Sequence, residues 1–210
     1  DCDGQDLSDI GMDDVVEGDL IITEVMYWGK NNLDDGWFEV YNATNINIDL
    51  MGLRVFTEND SHLVSSSTML SSGEYIVFLE SINPFANGYF PTHQVDVIET
   101  EMYIDNAGDN LSLEYSGTTL AELNVPDRNT LGIPQRVSWI MDDYSEMQND
   151  PNNWCFSSTF GYSLPSLPYY GTPGDDNDSC DQDGDGFSVG QGDCDDDDIN
   201  VFPGQTETLN

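Results

Sequence analysis

The sequence predicts an all-β sandwich with a short acidic appendage, on three observations. Short alternating or β-branched runs follow one another between residues 19 and 174, Gly-containing turns separate them, and hardly any stretch carries the 3.6-residue period of an amphipathic helix. In chain order the strand candidates are Leu20–Met26, Trp37–Tyr41, Ile48–Phe56, Tyr75–Leu79, Val95–Ile98, Leu111–Tyr115, Leu120–Val125 and Val137–Ile140. The turns are Asp35-Gly36, Ser72-Gly73, Ala107-Gly108-Asp109-Asn110 and Ser116-Gly117. Met141–Asn149 is expected as a short helix or a loop ahead of Pro151.

Charge divides the chain into three parts. Of 210 residues, 41 are Asp or Glu and only 4 are Lys or Arg, a formal charge of −37. Eight acids lie in residues 1–19 and twelve in residues 175–210, where there is no Lys or Arg, so 21 remain for the 155 residues between. We therefore expect an acidic N-terminal segment or linker over 1–18, a sandwich over 19–174 and an Asp-rich segment over 175–210. Lys30, Arg54, Arg128 and Arg136 are scattered, which argues against a nucleic-acid or anionic-membrane partner, since phosphates need clustered cations. No apolar run approaches the roughly 18–20 residues that span a bilayer, so no membrane insertion is expected. With no signal peptide and no initiator Met before Asp1, the chain reads as a mature product or a cut fragment.

The acids of the last segment have a pattern. Asp181, Asp183 and Asp185 alternate and Gly186 follows, which is the first half of a calcium loop of the EF-hand type. A hard dication takes six to eight oxygens at about 2.3–2.6 Å, and alternate Asp residues in a tight turn aim their carboxylates at one centre. Phe187, the seventh position, would add its backbone carbonyl. The twelfth position is Gly192 rather than an acid, and no amphipathic helix flanks the loop, so it is not an EF-hand proper. Asp193 closes the first loop while opening a second with Asp195 and Asp197, and Asp198 and Glu207 lie beyond. The simpler reading of an Asp-rich run is a solvated tail. Regular alternation with placed glycines favours Ca²⁺, and a segment of carboxylates without His or Met does not favour copper.

The string DQDGDGFSVGQGDCDDDDINVFPGQTE resembles the metal-binding repeat of bacterial cell-surface proteins, part of which is described as copper-binding, and is similar to thrombospondin type 3 calcium repeats. The stretches GDLIITEVMYW, DGWFEVYNATNINIDLMGLRV, LSSGEYIVFL and IDNAGDNLSLEYSGTTLAEL, with the closing Trp154-Cys155 and GTPGDDNDSC, resemble the lamin tail domain in its bacterial form. That resemblance implies an immunoglobulin-like sandwich and no particular activity, because one fold serves many tasks. Lamin tail domains of nuclear filaments mediate contacts. Bacterial ones sit in large secreted proteins beside nucleases, hydrolases and repeats.

Within the resemblance, Glu39 and Asn42 match a recurrent acid and amide, read here as holding neighbouring backbone. Trp37, Trp139 and Trp154 read as packing, and Trp28 as an exposed contact. Tyr162, Tyr169 and Tyr170 are candidates for a carbohydrate platform or, better, for a Pro/aromatic loop clamping the sandwich. Catalysis has little support. His62 and His93 stand 31 positions apart in polar stretches, Ser61 beside His62 gives no triad geometry, and no GxSxG or CxxC occurs. The chain is read as a non-enzyme.

The four cysteines (Cys2, Cys155, Cys180, Cys194) have neither zinc nor redox spacing. With calcium loops and a secreted family resemblance, disulfides are the expected state. Cys155–Cys180 is the preferred pair, since the two bracket the GTPG segment; Cys180–Cys194 stays open, as does the fate of Cys2. The expected function is an extracellular or cell-surface calcium-binding module that adheres or self-assembles through a protein partner or a second copy. The alternatives are an accessory domain targeting a secreted hydrolase or nuclease, and a copper scavenger. A preceding acidic repeat ending in Asp1, Asp3 and Asp6 would fit the first reading.

Overall fold

The computed structural model describes residues 9–27, 35–131, 136–145, 148–164, 167–178, 180–181, 183–185, 187–188, 193–195 and 198–205. Its strands, in chain order, are β1 (Asp9–Gly11), β2 (Leu20–Met26), β3 (Trp37–Asn42), β4 (Asn47–Asp49), β5 (Arg54–Phe56), β6 (Ser61–Leu63), β7 (Met69–Leu70) and β8 (Tyr75–Leu79). There follow β9 (Val97–Glu99), β10 (Asp109–Tyr115), β11 (Thr118–Val125), β12 (Trp139–Met141), β13 (Trp154–Phe156), β14 (Phe160–Leu164) and β15 (Leu167–Tyr170). One helical turn, Arg128–Leu131, and two 3-10 turns are the only helix among the described residues.

Two sheets face each other. A six-stranded sheet runs β13-β12-β2-β3-β8-β9 and a four-stranded one runs β11-β10-β5-β6. Their facing sides supply one core in which Leu20, Ile22, Val25, Phe38, Val40, Ile76 and Phe78 meet Val55, Leu111, Leu113, Leu123 and Val125. A small sheet, β1-β4-β7, adds Ile48 and Leu70 to it. The expected all-β sandwich is therefore the fold.

A bulge sets the site described below. β2 and β3 pair antiparallel, with Ile22 opposite Val40 but Glu24 opposite Glu39, so Thr23 is the extra residue. The extra residue resets the alternation. Ile22 and Val25 thereby both reach the inner core, while Glu24 and Met26 turn to the outer face beside Glu39 and Trp37. On that face Met26, Trp37, Val77, Leu79 and Phe90 form a second apolar cluster with Tyr162 and Tyr169 of the β14–β15 hairpin.

Several expectations change. The run Ile48–Phe56 is two strands in different sheets, because Leu50-Met51-Gly52 turns the chain and Gly52 sits at φ +97°, where a side chain is strained. The Val95–Ile98 strand starts at Val97, and of the two readings of Met141–Asn149 the described residues follow the loop, with Met141 ending β12. His62 is on β6, paired with Val55, rather than in a loop. Tyr162 and Tyr169 are buried and stacked at 4.5 Å, which leaves no platform for sugar. They belong to a hairpin, not a loop, because β14 and β15 pair antiparallel, with an irregularity between Phe160 and Tyr162. Within residues 9–18, part of the expected acidic segment or linker, β1 pairs with β4, and Met12 and Val15 enter the core. Their apolar side chains outweigh the acids around them. Trp28, Lys30 and Cys2 lie outside the described residues.

Candidate metal site and the strap leading to it

After β15 the chain crosses the outer face of the six-stranded sheet as a strap, residues 171–178, and the sheet's two buried glutamates hold it. Glu24 accepts hydrogen bonds from the Thr172 amide at 3.0 and 3.2 Å, from the Thr172 hydroxyl at 3.3 Å and from the Ser138 hydroxyl. Glu39 accepts from the Gly174 amide at 2.6 Å and from the Thr23 hydroxyl at 2.8 Å. Asn177 continues the fastening by donating to the carbonyls of Thr23 (2.7 Å) and Met141 (3.0 Å). Asp178 ends it, accepting from Ser157 Oγ and the Ser158 and Thr159 amides at 2.7–3.0 Å. Burial raises the Glu24 carboxyl to about 7, hydrogen bonds from Ser138 and Thr172 offsetting only part of that. Burial and then the neighbouring Glu24 push Glu39 well above the ordinary carboxylate range.

Cys180 follows the strap and is bonded to Cys155 of β13, with 5.6 Å between their Cα atoms. Its amide donates to Asp142 Oδ1 at 3.1 Å, and Ser188 Oγ donates to Asp142 Oδ2 at 2.5 Å. The Asp-rich loop is thus pinned to the sandwich at both ends by one carboxylate just past β12.

Between those pins the structure gathers three of the expected ligands. Carboxylate oxygens of Asp181, Asp183 and Asp185 all lie within 4.8 Å of one another. Two oxygens on opposite sides of one Ca²⁺ stand about 4.8 Å apart, twice the bond length, so the spacing suits a single ion. One oxygen of each carboxylate is used locally: Asp181 accepts from Gly184, Asp183 from Asp185 and Asp185 from Phe187, at 2.7–3.0 Å. Asp183 Oδ2, Asp185 Oδ2 and Asp193 Oδ2 are buried without a hydrogen-bond partner. Asp193 as a whole is 3% exposed. A buried ionic oxygen without a donor costs several kcal/mol, of order 1–3 or more, unless a cation satisfies it. Desolvation, then the charges of Asp185, Asp181 and Asp193, raise the Asp183 carboxyl. The donor set of oxygen alone fits a hard dication.

The other expected ligands that lie among the described residues have local contacts of their own. Phe187 stacks on Phe202 with centroids 6.1 Å apart. Asp195 is exposed and gives its amide to Asp193 Oδ1. Asp198 is exposed and accepts from Asn200, closing a turn of its own. Asp197 and Glu207 lie outside the described residues. Cys194 is exposed and free.

Residues the sequence reading passed over include Glu24, Asp142 and Ser188. Glu24 left a signal, a single acid inside the apolar run LIITEVM. Asp142 and Ser188 left none, since polar residues in loops are ordinary. Asn42 holds backbone as expected: its amide donates to the carbonyls of Ile46, Leu70 and Ser71, and its oxygen accepts from Thr44. No arrangement for nucleophilic catalysis is found among the described residues. His93 is exposed beside Gln94, and Ser61 and His62, being successive on β6, point to opposite faces. A groove of about 800 Å³ between the start of β2, β11 and the loop at Tyr144 is lined by Leu20, Ile21, Leu120 and Ala121 with Glu17 and Glu122 at its rim, and contains no His or Cys.

Two facing sheets, antiparallel except where β8 pairs with β9, place the molecule among immunoglobulin-like sandwiches. The family model described as Lamin Tail Domain matches residues 15–127, which is 113 of 210 residues, and the chain belongs to that family. No similar curated protein and no similar solved structure is found. No helix among the described residues is long and apolar enough to cross a membrane.

Proposed function

We propose that this lamin tail domain is an extracellular structural module whose C-terminal loop binds Ca²⁺ through Asp181, Asp183, Asp185 and Asp193. The observation that carries the reading is the trio of buried, partnerless carboxylate oxygens on Asp183, Asp185 and Asp193, around a cluster already spaced for one ion. Because Asp142 and the Cys155–Cys180 bond pin the loop to the sandwich, an ion there would fix the direction in which the acidic segment leaves the domain. The work we assign to it is adhesion or assembly with a protein partner or a second copy, on a surface complete only with calcium bound. The disulfide supports an oxidising, extracellular setting.

Calorimetry and thermal melting test this. Extracellular calcium modules have Kd of about 10⁻⁴–10⁻³ M, so 10 mM Ca²⁺ should stabilise the fold by roughly 1.4–2.7 kcal/mol. That corresponds to a melting temperature higher by roughly 3–10 °C than in chelator. Asp183→Asn and Asp185→Asn should each lose most of that difference. An unchanged melting temperature with no heat of binding refutes the reading, and tight copper binding without calcium binding replaces it with copper chemistry.

A further inference from the structure

Glu24 and Glu39 stand directly opposite each other on β2 and β3, on the outer face of the sheet, and both are fully buried. Every group that holds them is a neutral donor: Ser138, Thr172, Gly174 and Thr23. The titratable groups acting on them are all acidic. From the strap these are Asp175 and Asp178, from the loop after β12 Tyr144, and from β14 Tyr162. Tyr75 of β8 and Asp176 of the strap join the same array, hydrogen-bonded at 2.5 Å. No Lys, Arg or His is among these groups. Two carboxylates side by side, out of water and without a cation, cannot both stay ionised. The strap that covers them is also what keeps water away.

We propose that Glu24 and Glu39 form a proton-dependent latch, which keeps the strap 171–178 docked while the pair holds a proton and frees it once both are ionised. The device is separate from the calcium site, since none of its groups is among the proposed ligands. When the pair loses its last proton to solvent, mutual repulsion is relieved most simply by letting water in, and the contacts at Thr172 and Gly174 are the ones that must open. Close approach is built in at Gly171, where an added Cβ would lie 2.5 Å from Glu24 Oε1 and 2.9 Å from Ser138 Oγ.

The sign follows from the raised carboxyls. A group whose docked value lies above its free value favours docking fully below the free value and loses that contribution as pH rises through the docked one. For Glu24, with 4.5 when free and about 7 when docked, the docking constant should fall roughly 70-fold between pH 5 and pH 8.

Hydrogen exchange at the Thr172 and Gly174 amides reads this directly, with protection factors corrected for the intrinsic pH dependence of exchange. Protection should fall by tens of fold from pH 5 to pH 8 in the native chain, in chelator and in calcium alike. It should keep part of its slope in Glu39→Gln, where burial alone still raises Glu24, be nearly level in the Glu24→Gln, Glu39→Gln double variant, and be low at every pH in Gly171→Ala. Level protection in the native chain, or an undiminished slope in the double variant, overturns the latch. If the double variant does not fold, carboxyl NMR of the native chain decides, and a Glu24 that titrates near 4.5 is equally fatal. A failed latch beside intact calcium binding leaves the metal reading standing.

Discussion

Removing the Cys155–Cys180 bond is the most quantitative perturbation the structure offers. The bond closes a loop of 25 residues that contains the β14–β15 hairpin and the strap. In the chain-entropy treatment a cross-link of that span restricts the unfolded chain by about 3.5 kcal/mol at 25 °C. For a chain of this size that is roughly 7–14 °C of melting temperature. The paired Cys155→Ala, Cys180→Ala variant adds the loss of little packing, since Cβ remains at both positions. Urea denaturation followed by tryptophan fluorescence suits the measurement, because Trp154 adjoins Cys155 and stacks on Trp139 at 4.4 Å. The variant and the reduced native chain should lose similar stability, each with an unfolding slope slightly steeper than the oxidised form, whose denatured state exposes less surface. The calcium binding proposed above should also weaken in the variant, since Cys180 immediately precedes Asp181. A loss below about 1 kcal/mol would show that the strap contacts alone hold the loop and that the entropic reasoning fails here.

Two further outcomes follow from single side chains. Asn42→Asp keeps size but cannot donate to Ile46, Leu70 and Ser71, so it should cost roughly 2–4 kcal/mol in urea denaturation, at least as much as Asn42→Ala. Burial pushes Asp178 up, but hydrogen bonds from Thr159, Ser157 and the Ser158 amide outweigh this and leave it below its ordinary 3.8. A lowered carboxyl contributes stability above its free value and loses it as pH falls through the docked one, so the end of the strap should loosen in acid below about pH 3.8. Asp178→Asn should remove that acid transition as seen by exchange at the Thr159 amide, and an unaltered transition would contradict the assignment.

Much of the sandwich was legible because strand alternation and turn residues are local signals. Leu20–Met26 and Tyr75–Leu79 match their strands residue for residue. The turn at Ser116-Gly117 joins β10 to β11 as expected, with both residues at positive φ, 52° and 84°. What was missed depends on partners distant in sequence. The bulge at Thr23 is invisible in an apolar run, so the outward aim of Glu24 could not be read. β6, β7 and β13 are two or three residues long and owe their pairing to neighbours rather than to composition. In the acidic segment, alternation placed Asp181, Asp183 and Asp185 together, whereas Asp198, of the same residue type, is exposed and accepts from Asn200 in a turn of its own. Equal spacing carries no sign of which carboxylate oxygens are left without a donor; the fold shows them on Asp183, Asp185 and Asp193.

The loop after β12 has a bearing on how copies of the domain can associate. β11 ends its sheet, and the outward amide of Asn124 there is already taken by the Asn149 side-chain oxygen at 2.7 Å, while Gln148 occupies the Ile22 carbonyl of β2 at 2.9 Å. Two side-chain amides thus satisfy one backbone group each on β11 and on β2, the kind of cover that blunts an exposed strand edge. The other borders of the two facing sheets are β6, β9 and β13, and β13 is the border stitched to the acidic loop through Cys155.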